Sequence, residues 1–497
     1  MLRKIRIALA LIFFIGITLL FLDFTGVVHI YLGWMAKMQL LPAILAGNVI
    51  VVVFLLLVTL LFGRTYCSII CPLGVMQDGF SWLGGRFMKK RFHYRRPHQW
   101  LRIVVLVLFI ALMVLGLNAI AILIAPYSAY GRIASSLLQP IYLWINNLLA
   151  SWAEHAGSYS FYTADTWMKS GITLLVAVVT LVVVGLLAFF SGRTWCNNIC
   201  PVGTVLGFLS KFSLFRPVID TTKCVECKKC EHKCKSQCID ITGGHSIDMT
   251  RCVACFDCID NCKKGAISYQ MRTKKETPST GKPVDEDRRK FLVTTAAIGT
   301  ATAIQAQEAK VDGGLAVIQD KQIPVRTTPL KPAGSISLKH FTNHCTACQL
   351  CVSECPNGVL RPSKDLTTLM QPEMSFERGY CRPECVRCSE VCPTGAIKPI
   401  DVAEKSAIHF GLAVVVTKNC LPVAEGVKCG NCATHCPTGA ILMVPIHAGD
   451  DPDLPMTLKR PTVNTDKCIG CGACENLCPV RPFSAIHVEG RQVHIHD

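Results

Sequence analysis

The first 200 residues alternate between long apolar runs and shorter polar segments. The apolar runs occupy residues 7–22, 40–62, 103–125 and 172–190, and each is long enough to cross roughly 30 Å of hydrocarbon as an α-helix. The pattern therefore predicts four membrane-spanning helices. A further stretch, residues 141–152, is apolar and aromatic without any charge, which is typical of a segment lying along the membrane interface.

Basic residues between these runs predict the orientation of the helices. Segment 63–102 carries eight Lys or Arg residues, whereas segment 23–39 has only Lys37 and segment 126–171 has only Arg132 and Lys169. Short cytoplasmic loops are enriched in Lys and Arg. The N-terminus and segment 63–102 are therefore expected in the cytoplasm, and the fourth span returns the chain to that side.

A sequence element recurs after the second and fourth apolar runs. Residues 63–74 read GRTYCSIICPLG, and residues 192–203 read GRTWCNNICPVG. Because residues four apart share one face of a helix, the two cysteines of each element could present their thiols together. A shared redox or metal site would consist of Cys67, Cys71, Cys196 and Cys200. The alternative is that these cysteines only pack beside the Pro and Gly turns, and the sequence leaves both open.

Cysteine is the most unusual component of the composition, with 29 residues in a chain of 497. Most of them fall in runs with two-residue gaps. A [4Fe-4S] cluster takes three thiolates from one such run and its fourth from a distant run. Zinc ribbons and disulfides are the alternatives, but zinc sites seldom combine three cysteines at two-residue gaps with a distant fourth. The sequence therefore predicts six [4Fe-4S] clusters.

Other cofactors lack their sequence signals. The chain contains no Cys-x-x-Cys-His motif for attached haem and no histidine within an apolar run for paired haem ligation. A Rossmann glycine motif and a P-loop are also missing from the sequence. Neither haem nor flavin is expected.

The first group of cysteines lies in residues 218–271, which are expected to form a cytoplasmic domain with two clusters. Exchange of the fourth cysteine between two runs predicts two ligand sets. They are Cys224, Cys227, Cys230 with Cys262, and Cys252, Cys255, Cys258 with Cys234. The usual proline after the fourth cysteine is missing from both runs, and Cys238 is left over. The sequence therefore leaves Cys238 open as an alternative to Cys234.

The second group of cysteines lies in residues 308–497, which are expected to form a domain with four clusters. The first and fourth of its runs are regular in spacing, whereas the second and third are irregular. This symmetry predicts nested pairing, in which the first run exchanges a cysteine with the fourth and the second with the third. The predicted sets are Cys345, Cys348, Cys351 with Cys478; Cys468, Cys471, Cys474 with Cys355; Cys381, Cys385, Cys388 with Cys436; and Cys420, Cys429, Cys432 with Cys392.

The two groups are separated by the sequence RRKFL at residues 288–292, followed by the mildly apolar, small-residue stretch 293–307. This order is typical of a twin-arginine export signal. Residues 272–307 are therefore expected to be a linker with a fifth span or a cleaved leader. They would place residues 308–497 in the periplasm and keep residues 191–287 in the cytoplasm. The alternative is a cytoplasmic linker helix.

These elements define the expected fold class. We expect an α-helical membrane domain with four spans in residues 1–217 and a fifth span in residues 272–307, joined to two ferredoxin-like α+β iron–sulfur domains. The formal net charge of +17 could indicate a nucleic-acid partner. Much of this charge lies beside the apolar runs, and each oxidised four-iron cluster with its thiolates carries about −2. No nucleic-acid partner is therefore expected.

The combination of motifs resembles a known respiratory family. Residues 1–270 resemble the membrane subunit NapH of periplasmic nitrate reductase systems, in the spans, the two GRT-aromatic-Cys-x-x-x-Cys-Pro elements and the two-cluster tail. Residues 288–490 resemble the partner ferredoxin NapG, in the twin-arginine start, the GLAVV of residues 411–415, the eight-residue gap after Cys420 and the CIGCG of residues 468–472. The chain thus resembles a fusion of the two subunits.

The resemblance implies a quinol dehydrogenase in the bacterial inner membrane. Quinol or menaquinol from the membrane quinone pool would be oxidised, and electrons would pass through the clusters to a periplasmic reductase or cytochrome. Related membrane polyferredoxins suggest an alternative, namely assembly or redox maintenance of a periplasmic metalloenzyme such as a copper oxidase or reductase.

Three ionisable residues are candidates for the quinol site. Asp23, His29 and Lys37 lie near the predicted outer ends of the first two spans, and ionisable groups at membrane depth are often functional. The alternative is that they are ordinary interface residues, whose apolar stems pack while their polar heads reach water.

Overall fold

The computed structural model describes residues 1–88, 92–157, 162–272, 320–446 and 458–496. All 29 cysteines lie within these ranges. The twin-arginine segment, residues 288–307, lies outside the described residues, so the fifth span or cleaved leader stays a prediction.

The first part of the chain, residues 1–214, is helical and is called the helical region. Its helices are α1 (Leu2–Leu22), α2 (Val27–Lys37), α3 (Leu40–Leu45), α4 (Val49–Phe62), α5 (Tyr66–Ile69), α6 (Pro72–Phe87), α7 (Gln99–Val114), α8 (Asn118–Ala121), α9 (Pro126–Ile133), α10 (Gln139–His155), α11 (Gly171–Ser191), α12 (Thr194–Asn198) and α13 (Pro201–Ser210). A π-helical turn, Ala134–Leu138, joins α9 to α10.

Two of these helices, α1 and α11, are long and apolar enough to cross a membrane. Each has 21 residues, and their mean hydropathy is 2.7 and 3.0. They coincide with the first and fourth apolar runs. Among the described residues, the other apolar helices are shorter, so the prediction of four or five spans is not supported.

The second and third apolar runs are each broken by local backbone chemistry. Residues 40–62 divide into α3 and α4, because Gly47 adopts a left-handed φ of 67° and the Asn48 side chain caps α4 by accepting the Val51 N–H. Residues 103–125 divide after α7, where Gly116 has a φ of 77°. Residues 141–152, predicted to lie along the interface, are part of α10, and Trp144 and Trp152 are exposed there.

The first cysteine domain, residues 215–272, begins three residues earlier than expected from the sequence. Strand β1 pairs with β4, and β2 pairs with β3, both antiparallel. A short helix follows the second cysteine of each run. The elements are β1 (Phe215–Ile219), α14 (Lys229–Lys233), β2 (Ile239–Asp240), β3 (Ser246–Ile247), α15 (Asp257–Asn261) and β4 (Ile267–Met271).

The second cysteine domain, residues 320–496, combines short helices with three two-stranded antiparallel sheets, β5–β6, β7–β10 and β8–β9. Its elements are α16 (Leu338–His344), α17 (Leu350–Glu354), β5 (Leu360–Pro362), β6 (Pro372–Met374), α18 (Arg387–Val391), α19 (Val402–Ser406), β7 (Ile408–Val415), α20 (Leu421–Ala424), α21 (Asn431–Thr434), β8 (Ile441–Pro445), β9 (Lys459–Val463), α22 (Ala473–Asn476) and β10 (Ile486–His496).

The two cysteine domains lie at opposite ends of the helical region. At the start of α1, Arg3 forms ion pairs with Asp257 at 2.9 Å and Asp260 at 2.7 Å, both in the first cysteine domain. Just beyond the end of α1, the Arg387 guanidinium donates to the carbonyl oxygen of Thr25 at 2.8 Å. A 21-residue helix is about 31 Å long at 1.5 Å per residue. Helix α1 therefore runs from one domain to the other.

The second cysteine domain shares its hydrophobic core with the helical region, whereas most of the first forms a separate core and only its Val253 is buried in the shared cluster. One continuous buried cluster contains Ile17 and Leu55 together with Leu350 and Phe376. The contact between these two parts also includes the Gln139 amide, which donates to the Ser353 carbonyl at 3.2 Å. The helical region and the second cysteine domain are thus packed as one body.

Candidate metal centres

The four regular cysteine runs share an unusual backbone conformation. In each, the residue before and the residue after the second cysteine have positive φ. The pairs are Glu226 and Lys228 (53° and 55°), Ala254 and Phe256 (49° and 61°), Ala347 and Gln349 (48° and 68°), and Gly470 and Gly472 (86° and 81°). Six of these eight residues are not glycine, and a left-handed L-residue costs roughly 1–2 kcal/mol.

Such strain persists where the surroundings determine the conformation, and it clusters at functional sites. Successive left-handed turns also direct several backbone N–H groups to one point, which suits an anionic centre. The loops therefore have the backbone expected of a site that wraps around a negatively charged group.

Cysteines converge in six sets, each named by its first cysteine. In the first cysteine domain they are the Cys224 set (Cys224, Cys230 and Cys262, to which Cys227 is assigned by the spacing of its run) and the Cys252 set (Cys252, Cys255, Cys258, Cys234). In the second they are the Cys345 set (Cys345, Cys348, Cys351, Cys392), the Cys381 set (Cys381, Cys385, Cys388, Cys355), the Cys420 set (Cys420, Cys429, Cys432, Cys478) and the Cys468 set (Cys468, Cys471, Cys474, Cys436).

In the first cysteine domain the structure brings together Cys224, Cys230 and Cys262 of one predicted set and all four cysteines of the other. Burial raises the pKa of Cys230 to about 11, with the nearby thiols of Cys224 and Cys262 adding to the effect. A cavity in the other half is lined by the three cysteines of the second run together with Cys234. Helices α14 and α15 pack against each other, which brings the two runs together.

Cys238 lies in the same cavity as Cys234, and their sulfur atoms are 3.5 Å apart. The hydrogen bond between the two thiols lowers the pKa of Cys234 to about 7 and, with a hydrogen bond to Cys252, raises the pKa of Cys238. Either sulfur can donate in this bond, so Cys234 and Cys238 both stay candidates for the fourth ligand of the Cys252 set.

In the second cysteine domain the structure does not bring together the nested sets. The first run meets the fourth cysteine of the second run: burial raises the pKa of Cys351, and the thiols of Cys348, Cys345 and Cys392 raise it further. Conversely, Cys355 lines a cavity with Cys381, Cys385 and Cys388. Helix α17 packs against α18, so neighbouring runs form one unit.

The third and fourth runs form a second unit in the same way. Cys478 lines a cavity with Cys420, Cys429 and Cys432. Burial raises the pKa of Cys471 to about 12, and the thiols of Cys436 and Cys468 contribute. Helix α21 packs against α22.

The nested pairing is therefore corrected to adjacent pairing. Symmetry in the irregular gaps pointed to nesting, but these gaps only lengthen a loop within each unit. In the first cysteine domain, neighbouring runs exchange their fourth cysteines. The same exchange between neighbouring runs gives the four sets of the second cysteine domain.

The irregular run at the start of the Cys381 set has a buried cation beside it. The Lys405 ammonium donates to Cys381 Sγ at 3.2 Å and to the Arg382 carbonyl oxygen at 2.6 Å. Lys405 is 3% exposed. A buried ammonium needs an anionic or strongly polar partner, and a thiolate supplies one.

The six sets fit iron–sulfur clusters better than single ions. Among the described residues, no three His, Cys, Asp or Glu side chains converge closely enough for one metal ion. A four-iron cluster spreads its four thiolates over separate irons, so its ligands lie farther apart than those of a single ion. Four cysteines around a small cavity, on loops with inward-facing N–H groups, match that requirement.

The four cysteines of the repeated element also come together, within the helical region. They are buried, with 3–4% exposure each, and each repeat reaches across to the other. The Arg64 guanidinium donates to the Cys196 carbonyl at 3.1 Å, and the Arg193 guanidinium donates to the Cys67 carbonyl at 2.5 Å. Cys67, Cys71, Cys196 and Cys200 are called the four-cysteine site.

Nitrogen donors approach the sulfur atoms of this site. The Gln77 amide donates to Cys196 Sγ at 3.2 Å, the Gly203 N–H to Cys200 Sγ at 3.4 Å, and Arg64 to Cys67 Sγ at 3.9 Å. The Gly74 backbone N–H acts on Cys71 in the equivalent way. Such bonds are a property of metal-bound thiolates, whose charge they stabilise.

One carboxylate balances several cations beside this site. Asp78 contacts Arg6, and it pairs with Arg193 at 2.8 Å and Lys235 at 3.2 Å. Burial acts to raise the pKa of Asp78, but Arg193, Lys235 and Arg6 together hold it well below its usual value. Asp78 therefore joins α1, the second repeat and the first cysteine domain.

Comparison with known proteins agrees with this geometry. A family model described as "4Fe-4S binding domain" matches residues 45–91 and 171–219, each of which contains one of the two repeated elements. Another, "4Fe-4S dicluster domain", matches residues 425–481. That segment covers most of the third run and all of the fourth as a single unit, in agreement with adjacent pairing.

Relatives with curated descriptions are ferredoxin-type proteins. Methylamine utilization ferredoxin-type protein MauM of Methylobacillus flagellatus is 31% identical over 36% of this chain and 76% of its own length. Ferredoxin-type protein NapG of Escherichia coli K12 is 30% identical over 38% of this chain and 80% of its own length. Ferredoxin-type protein NapF of the same strain is 28% identical over 31% and 84%.

The chain belongs to the family of ferredoxin-type iron–sulfur proteins. It is therefore an iron–sulfur electron-transfer protein related to those of the Nap and Mau systems. No solved structure matches it. The fusion with a NapH-type subunit is not part of what these relatives show.

The quinol candidates of this ferredoxin-type protein differ in their surroundings. The Asp23 carboxylate is buried and accepts from the backbone N–H groups of Thr25 and Val28, both at 2.8 Å, so it caps the turn before α2. His29 is half-buried, and burial lowers its pKa, with Lys37 contributing. Lys37 itself is exposed.

A cavity that the sequence did not reveal lies beside this turn, between the helical region and the second cysteine domain. This outer cavity has a volume of about 740 Å³, and its lining includes Phe24, Tyr162, Lys169, Glu354, Cys355 and Arg387. Both carboxylate oxygens of Glu354 are buried without a hydrogen-bond partner. Cys355 belongs to the Cys381 set, so the cavity adjoins a candidate cluster.

Proposed function

We propose that this protein is a membrane quinol dehydrogenase that passes electrons through [4Fe-4S] clusters to a reductase or cytochrome outside the bacterial inner membrane. It would combine a NapH-like and a NapG-like part in one chain. The observation that carries the proposal is the position of two cysteine domains at opposite ends of a helical region whose helices α1 and α11 are long enough to span.

In this proposal the six cysteine sets each hold one [4Fe-4S] cluster. When bound, such clusters accept and donate single electrons. The protein supplies the thiolates, the left-handed loops with their inward N–H groups, and local charges such as Lys405 beside Cys381. The first cysteine domain would lie in the cytoplasm, and the second would lie in the periplasm.

The outer cavity is the favoured quinol site. A quinol carries two hydroxyl groups on an apolar ring, so its pocket needs polar groups and apolar surface near an electron acceptor. Polar and charged side chains, among them Lys169, Glu354 and Arg387, make up most of this wall, and Phe24 and Tyr162 supply apolar surface for the ring. Lys169 is already oriented, because its ammonium donates to Gln139 Oε1 at 2.7 Å and to the Val352 carbonyl at 3.3 Å.

Quinol oxidation is tested on the full chain purified without oxygen. A menaquinol analogue is added and cluster reduction is followed by EPR. We expect reduced-cluster signals from wild-type protein and a rate at least tenfold lower from Lys169→Met, with Lys339→Met, an exposed lysine outside the cavity, as the control. Clusters that dithionite reduces but quinol does not would contradict the quinol dehydrogenase function.

The alternative role in metalloenzyme assembly requires the four-cysteine site to exchange a metal ion or a disulfide with a partner. Thiol exchange requires an accessible sulfur, whereas each cysteine of this site is at most 4% exposed. The burial of these thiols therefore favours a fixed cofactor over exchange with a partner protein.

Orientation is tested separately from activity. A reporter enzyme that matures only outside the cytoplasm is fused after Asp497, and a second fusion is made after Met271, at the end of β4. We expect activity only from the first fusion. Activity from the second alone would reverse the proposed orientation.

A further inference from the structure

The four-cysteine site lies against the backbone of the first cysteine domain. Arg64, which donates to the Cys196 carbonyl, also donates to the Thr250 carbonyl at 3.1 Å. Thr250 is two residues before Cys252. On the other repeat, the Asn197 amide donates to the Ser236 carbonyl at 3.3 Å, between Cys234 and Cys238. Both contacts reach the loops of the Cys252 set.

On its other side the site adjoins buried tyrosines that lead to the second cysteine domain. The Tyr66 hydroxyl bonds Gln39 Oε1 at 2.9 Å and accepts the Leu40 N–H at 3.2 Å. Tyr66 directly precedes Cys67. Tyr127 is near Cys348 and Cys392 of the Cys345 set as well as near Tyr66. Both tyrosines are 2% exposed.

We propose that Cys67, Cys71, Cys196 and Cys200 together hold one further iron–sulfur cluster, shared between the two repeats. Each repeat contributes two cysteines, so neither can complete a four-thiolate site alone. The pseudo-symmetric contacts of Arg64 and Arg193 with the opposite repeat bring the two pairs to one place.

The surroundings favour a cluster over the other occupants. A disulfide would leave neutral sulfurs facing the guanidinium group of Arg64, which is 0% exposed and donates to Cys67 Sγ. A four-thiolate cluster carries a net negative charge, which this cation helps to balance. A zinc ion requires four ligands in tight tetrahedral contact, and the described residues contain no such convergence.

Such a cluster would give the protein a redox centre between its two cysteine domains. The six predicted clusters are otherwise divided by the helical region. The inference concerns the ligands of this centre and stands whether or not quinol is the electron donor.

The first experiment measures iron and acid-labile sulfide in the full chain. Cys71→Ser and Cys200→Ser should each lose the iron and sulfide of one cluster, about four of each for a four-iron centre. Because the site is shared, the double variant should lose no more than either single variant. Ser68→Ala, buried beside Cys67, is the control and should retain all iron.

Several results would overturn the proposal. Unchanged iron in the single variants would do so, as would additive losses in the double variant, equimolar zinc in the wild type, or a Cys67–Cys71 or Cys196–Cys200 disulfide found by mass spectrometry. The EPR signals of the other clusters report whether the variants are folded.

A second experiment leaves all four cysteines in place. Gln77→Leu removes the donor to Cys196 Sγ, and Leu206 already occupies the equivalent position of the second repeat. Hydrogen bonds to cluster sulfurs influence the reduction potential, so we expect the midpoint potential of one centre to fall and those of the others to stay. An EPR redox titration in which no centre moves would overturn the proposal even if the cysteine variants fail to fold.

Discussion

The two repeats of the helical region have the same motif but different electrostatic surroundings. Arg193 of the second repeat forms an ion pair with Asp78. Arg64 of the first repeat instead donates to neutral oxygens, those of Asn197 and of the Thr250 and Cys196 carbonyls. Both guanidinium groups are fully buried. The difference separates a structural role for Arg193 from an electrostatic role for Arg64 beside the four-cysteine site.

Asp78 should be the most sensitive position in this comparison. Asp78→Asn leaves Arg6, Arg193 and Lys235 without their shared carboxylate, and breaking a buried ion pair costs about 3–5 kcal/mol. Chemical unfolding in detergent should show a loss of this size. Asp260→Asn is the control, because its exposed pair with Arg3 is worth about 0–1 kcal/mol. Equal losses from both variants would contradict the central position of Asp78.

Acidification should reproduce part of this loss reversibly. The folded-state pKa of Asp78 is held below its usual value of about 3.9, so the unfolded chain binds the proton first. The stability that Asp78 contributes is therefore complete above about pH 4 and is lost as the pH falls towards the folded-state pKa. Thermal unfolding from pH 3 to pH 7 should show the gap between wild type and Asp78→Asn narrowing at the acid end, and a constant gap would refute this linkage.

Replacing each repeat's arginine by glutamine should separate the two roles. Arg193→Gln removes one of three cations from Asp78 and should cost about 2–3 kcal/mol. Arg64→Gln removes hydrogen bonds to neutral acceptors and should cost about 1–2 kcal/mol. Unfolding midpoints provide the comparison. A larger loss of stability from Arg64→Gln than from Arg193→Gln would show that Arg64 contributes more to the free energy of unfolding than its contacts indicate.

Two glycines test whether the repeats are equivalent in packing. A Cβ at Gly74 would lie 2.2 Å from the Cys67 carbonyl oxygen, and one at Gly203 would lie 2.2 Å from the Cys196 carbonyl oxygen. Each Gly→Ala change should cost about 1–3 kcal/mol through overpacking, and the two losses should match. Gly79→Ala, also on α6 but with open space around it, should instead gain about 0.5–1 kcal/mol.

The sequence predicts those features that depend on residues close together in the chain. The gaps between cysteines gave the Cys224 and Cys252 sets, since each regular run forms the same left-handed loop. Hydropathy located α1 and α11 for a similar reason, because their apolar runs contain no capping residue. At Gly47 and Asn48 the same method failed, since an average over a window does not register a single left-handed glycine and a single cap.

Contacts between distant segments were beyond sequence reasoning. Asp78 is one acidic residue on α6, and its importance depends on cations from α1, from residue 193 and from residue 235. The missing proline after Cys234 has a reason of the same kind. Lys235 occupies that position, pairs with Asp78 and Asp257, and accepts the Arg193 N–H at its carbonyl. The sequence shows that no proline follows Cys234, but it does not show that Lys235 pairs with Asp78 and Asp257.

Helix α1 is fastened at both ends, by Arg3 to the first cysteine domain and by the carbonyls of Phe24 and Thr25 to Arg387 of the second. The length of α1 therefore sets the distance between the two domains. One inserted residue would add about 1.5 Å and turn one anchor by about 100° relative to the other.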